Sequence, residues 1–91
     1  MEHRTIMMKI KLLSNDYEEF LSKAEQLKSG IVEVAQGNNV LSGKSLLGLS
    51  LIDTNKPQTL IIRGFFDDEF IENFKKWEIP KHKKINFSKK G

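Results

Sequence analysis

A chain of 91 residues with a net charge of +3 is a single domain, which buries roughly 60 to 65% of the surface its unfolded form exposes and leaves no room for a second lobe. It has no cysteine, which excludes disulfides, a thiol nucleophile and thiolate-bound zinc and suits a reducing compartment. Its N-terminus reads Met-Glu-His-Arg-Thr and its longest apolar runs are as short as Leu60 to Ile62, so neither a signal peptide nor a membrane span is expected, and the chain reads as soluble and cytoplasmic.

The charge is unevenly placed. From residue 75 onward seven lysines stand against Glu78 alone, a net +6 that leaves residues 1 to 74 at −3. An acidic body, residues 1 to 78, is thus expected to carry a basic tail, residues 79 to 91.

Residues 5 to 13 place Ile6, Met8, Ile10 and Leu12 on one parity and Thr5, Met7, Lys9 and Lys11 on the other, the period of a half-buried strand. Ser14, Asn15 and Asp16 break it, and Asn15 with Glu18 three residues on suggests a capping box for a helix. Tyr17, Phe20, Leu21, Ala24 and Leu27 share one face of that helix, and Gly30 is expected to end it. Ile31 to Ala35 reads as a second strand with Glu33 outward, turning at Gly37-Asn38-Asn39 into a short third strand near Val40 and Leu41.

Ser45, a good N-cap, then predicts a short helix from Leu46. Consecutive leucines on so short a helix cannot all point inward, and Leu47 is the one expected at the surface. Asn55-Lys56-Pro57 makes a turn into a fourth strand, Thr59 to Arg63, apolar enough for a central place in the sheet and closed by Gly64. Asp67 and Asp68 are candidate caps for a last helix with Phe70, Ile71, Phe74 and Trp77 on one face, stopped by Pro80. The order β-α-β-β-α-β-α, with one apolar stripe per helix, predicts an α+β two-layer sandwich with helices on one face of a mainly antiparallel sheet and solvent on the other.

That order, the stretch Lys44-Ser45-Leu46-Leu47-Gly48-Leu49 before the fourth strand and an acidic start to the closing helix together resemble the HPr family, the small phosphocarriers of the bacterial sugar phosphotransferase system. The resemblance covers roughly residues 4 to 77 and implies an open-faced sheet of four antiparallel strands in the order 1-4-2-3 with three helices on one side. In that family a histidine within His-x-Arg-Pro, in the loop after the first strand, carries the phosphoryl group. Here the loop reads Leu12-Leu13-Ser14-Asn15-Asp16-Tyr17, without histidine, arginine or proline, and is acidic. His3 and His82 lie outside the matching core, so histidine phosphocarriage is not expected.

One branch of the family is also phosphorylated on a serine at the start of the short helix, and the modified protein assists a transcriptional repressor. Ser45 matches that serine, with Lys44 before it and Leu46 and Leu47 after it. A phosphate there would add about −1.5 to −2 charges beside unpaired helix N–H groups. The alternative role of Ser45 is that of a helix cap alone. The loop before Ser45 is one residue longer than the family's, and the segment after it about two shorter.

Other chemistry finds no footing in the sequence. Gly43-Lys44-Ser45 resembles the end of a P-loop, but the glycine needed five residues earlier is Asn38. Glu18-Glu19 and Asp67-Asp68-Glu69 sit at helix starts, where the dipole accounts for them, and no histidine pairs with a nucleophile or builds a metal site. The expectation is therefore a non-enzymatic HPr-like binding or regulatory protein without cofactor or metal. It would act through Ser45, Lys44, Leu46 and Leu47 on a transcription factor or a sugar-metabolism enzyme, and not on a membrane. Two other functions stay open: a phosphocarrier with an unconventional acceptor, and an adaptor whose lysine tail, with Trp77 and Phe87, binds nucleic acid.

Overall fold

The computed structural model describes residues 2 to 80. Strands β1 (His3–Ile10), β2 (Gly30–Gln36), β3 (Asn39–Ser42) and β4 (Gln58–Phe65) form one antiparallel sheet in the order β1-β4-β2-β3. Helices α1 (Tyr17–Ala24), α2 (Leu46–Leu49) and α3 (Asp68–Glu72) accompany it, with short 3-10 turns at Ser14–Asp16 and Lys75–Trp77. The architecture is the α+β open-faced sandwich with strand order 1-4-2-3.

Strand parity decides which side chains make the core. Met8 and Ile10 of β1, Val32 and Val34 of β2, and Leu60 and Ile62 of β4 face the helices and are buried. They meet Phe20, Ala24, Leu49, Phe74 and Trp77 from the other layer. Phe20 sits at the junction, 5.4 Å from both Phe74 and Trp77 between ring centroids. β4 is paired on both sides, to β1 through Met8↔Leu60 and to β2 through Val34↔Leu60, the central place that its Leu60-Ile61-Ile62 run suits.

The two-residue hairpin loop between β2 and β3 is Gly37-Asn38, closed by Gln36↔Asn39, with Gly37 at φ +60°. Glycine at the first central position is what a tight hairpin of matching twist requires.

Several element ends differ from expectation. Asn15 caps nothing. Leu13 N–H instead donates to Asp16 Oδ2 at 2.9 Å while Asp16 N–H donates to Leu13 O at 2.9 Å, and this reciprocal pair makes the 3-10 turn from which α1 begins. Gly30 opens β2 and does not end α1, which stops at Ala24. Gly64 lies inside β4, at φ +144°, because the backbone of Ser29 and Gly30 crosses it too closely for a side chain; an added Cβ would sit 2.6 Å from Gly30 Cα.

The closing helix is also interrupted. α3 ends at Glu72, and Trp77 belongs to a 3-10 turn before Pro80 is reached. The free edge of β1 takes the chain at this point: Lys11 N–H donates to Trp77 O, and Ile79 N–H donates to Lys9 O. Glu78 and Ile79 are thus tied to the sheet and belong with the domain. The tail from residue 81, with His82 and Phe87, lies outside the described residues.

Candidate functional site

The stretch from Gly43 to Ile52 turns where β3 leaves the sheet. Gly43 is buried, donates its N–H to Val32 O at 2.7 Å and has no space for a Cβ beside Val32. Ser45 follows with extended backbone, and its Oγ accepts from Gly48 N–H at 3.1 Å, the capping bond that starts α2. At the other end Ser50 Oγ donates to Leu47 O at 2.6 Å. A four-residue helix is too short to hold itself together, and Leu49 and Ile52, both buried, fasten it to the core.

With Leu49 turned inward, the helical period sends the other leucines out. Leu47 and Leu51, four residues apart, are exposed by 78% and 68%, and Leu46 beside them by 52%. Leu47 is therefore at the surface, as its crowded neighbourhood in sequence requires. Three exposed leucines around one short turn form an apolar patch with Ser45, partly exposed, at its edge.

Lys44 stands apart from this patch. Its ammonium donates to Leu27 O at 2.6 Å and to Gly30 O at 3.3 Å, so it clasps the segment between α1 and β2. The charge expected next to Ser45 is already committed to two carbonyls. The structure thus brings together Ser45, Leu46 and Leu47 and draws the Lys44 side chain to a structural task.

The loop after β1 is held both by its own residues, through the Leu13–Asp16 pair, and by β4. Leu12 is buried and its N–H donates to Gln58 Oε1 at 2.9 Å. Burial first, and the Asp16 carboxylate second, push the Tyr17 phenol above its ordinary value. Glu19 accepts from Lys76 Nζ at 2.8 and 2.9 Å and lies 3.7 Å from Lys23. The Lys76 hydrogen bond is the main reason its carboxyl is held below the usual glutamate range. His3 is exposed at the far end of β1, edge-on to Phe65 at 5.4 Å.

A shallow groove of about 410 Å³ runs between Gln26 and α3, lined by Gln26, Asp67, Glu69, Phe70 and Asn73. Of its two acids Asp67 has a structural duty, its Oδ1 accepting from Phe70 N–H at 3.0 Å as the cap of α3; the adjoining Asp68, outside the groove, pairs with Arg4 at 3.0 Å. Among the described residues no group of three potential metal ligands converges, and no helix is long and apolar enough to cross a membrane.

Sequence reasoning left the outer face of the sheet to solvent. In the structure that face carries Met7, Ile31, Val40 and Phe65, each about half exposed or more. The signal was present in the strands themselves, where the outward parity is apolar at Met7, Ile31 and Ile61 as well as the inward one. No protein-family model matches the chain, and no curated protein matches its sequence.

Proposed function

We propose that the chain is an HPr-like binding or regulatory module of the cytoplasm that works without cofactor or metal and does not carry phosphate on histidine. The observation that carries this reading is the leucine patch beside Ser45: Leu47 is 78% exposed on a helix that the buried Leu49 anchors to the core. An exposed apolar side chain on a fixed mount is how protein interfaces present their anchors, since little entropy is lost when a partner covers it. The strand order 1-4-2-3 with three helices is the arrangement that the resemblance to HPr implies, and it supports the reading at the level of fold.

The partner is a protein, a transcription factor or a sugar-metabolism enzyme, that covers Leu46 and Leu47 and senses the charge on Ser45. Phosphorylation of Ser45 would exchange its capping hydroxyl for a phosphate at the same helix start and add about −1.5 to −2 charges next to an apolar anchor. The loop Leu12 to Tyr17 offers no phosphoryl acceptor of the family's kind, which argues against the carrier role.

Calorimetric titration with the repressor that serves the serine-phosphorylated branch of the family tests the reading. Leu47→Asp is expected to weaken binding about tenfold or more, that is by at least ~1.4 kcal/mol, while leaving the melting temperature unchanged. Equal affinity for wild type and Leu47→Asp would remove the patch from the account.

A further inference from the structure

The outer face of the sheet carries a second apolar surface, on the opposite side of the molecule from α2. Met7, Ile61 and Glu33 lie in one cross-strand row, and Thr5, Arg63 and Ile31 in the next. Met7 is 67% exposed, Ile31 50% and Phe65 48%. Apart from Lys9 at the rim of β1, the charges on this face are one diagonal pair, Arg63 Nη1 to Glu33 Oε1 at 3.0 Å.

We infer that this face binds a second copy of the chain through a two-fold axis lying between the two sheets. The argument is self-complementarity. In a face-to-face pair of identical sheets, every residue must meet an acceptable neighbour under one rotation. On a strand lattice of about 4.8 Å between strands and about 6.7 Å between outward side chains, the axis that bisects the Glu33–Arg63 diagonal places each carboxylate over the other copy's guanidinium. The four charges then alternate in sign around a square.

The same axis runs close to Met7, Ile61 and Ile31, so each of these apolar side chains meets its own counterpart. Phe65 falls over the second copy's Ser42 and Val40, and Lys9 falls beyond the edge of β1, where it stays in water. No like charges are opposed. The strands of the two copies cross at roughly 70°, near the orthogonal class of sheet packing.

Four strands of this length present roughly 500 Å² per face, so the pair buries about 1,000 Å², the lower limit for a specific interface. The dimer is therefore weak and concentration-dependent, and it leaves the α2 patch free on both copies. It does not depend on the proposed role of Ser45.

Sedimentation equilibrium of the full chain from about 5 μM to about 1 mM spans the range in which such an interface dissociates. The mass should climb from 10.5 kDa toward twice that value. Arg63→Glu, which sets four carboxylates against one another, should hold the protein at the monomer mass, and the double exchange Glu33→Arg with Arg63→Glu should restore the dimer. Ile31→Asn, beside the axis and without a change of charge, should lower the association at least tenfold, with circular dichroism confirming that each variant folds. A constant 10.5 kDa at all concentrations overturns the inference, and so does association that survives Arg63→Glu.

Discussion

Ser45 Oγ holds an N–H of the chain that follows it, and this gives the residue a structural value separable from any regulatory one. Ser45→Ala removes an acceptor that asparagine and aspartate can replace, so urea unfolding should show a loss of about 1 kcal/mol for Ser45→Ala and about 0.5 kcal/mol or less for Ser45→Asp. Equal losses would mean that the cap is not what the serine supplies. Lys44 behaves differently. Its ammonium is partly buried on Leu27 O and Gly30 O, and Lys44→Met keeps the stem while orphaning both carbonyls. A loss of about 1.5 kcal/mol is expected, from hydrogen bonds in which one member is charged, together with faster amide exchange between Leu27 and Gly30. Unchanged exchange there would contradict the clasp.

At the level of elements, legibility in the sequence followed the number of independent signals at each place. β1 and α1 were readable because their apolar positions repeat over many residues, and Met8, Ile10, Phe20 and Ala24 are buried as the periods require. The start of α2 was readable from one serine before an apolar run. The ends of β4 and of the last helix moved through contacts between distant segments, the start of α1 through a local one. Gly64 reads locally as a stop, yet β4 continues through it because Ser29 and Gly30 press against its backbone. The last helix has an unbroken apolar stripe, but Trp77 O and Ile79 N–H are claimed by the edge of β1. Asp16 displaced Asn15 as the residue organising the first turn because its carboxylate reaches back to Leu13. At the candidate site the exposure of Leu47 was legible from crowding on a short helix, whereas the destination of the Lys44 side chain depends on a loop fourteen or more positions away in sequence.

At the scale of the molecule, a thin layer of helices is held to one sheet by a single core, and a few surface contacts fasten its rim. Among these the Glu19–Lys76 pair ties α1 to the closing 3-10 turn, with Lys76 also over the Trp77 ring at 5.4 Å. Because the Glu19 carboxyl is held low in the folded protein, its contribution is fully present above the ordinary glutamate range and is lost as pH falls through the lowered value. Thermal melts of wild type and Glu19→Gln should therefore differ at neutral pH and converge in acid. A gap in Tm that persists or widens in acid would show that another group is responsible. The pair is solvent-exposed, so added salt should narrow the gap as well.

At the same scale, α2 presents exposed leucines beside the Ser45 hydroxyl, while the chain after β1 is tied to β4 through Leu12 N–H and Gln58 Oε1. The central claim is that this scaffold works through Ser45 and its leucines and not through a phosphohistidine. Intact mass tests it most directly, measured after two parallel incubations, one with phosphoenolpyruvate and the first enzyme of the sugar system, the other with ATP and the serine kinase of the HPr family. The account expects no change in the first and one added phosphoryl group in the second, absent from Ser45→Ala. A phosphoryl group acquired on histidine in the first incubation, or none on Ser45 in the second, would contradict it.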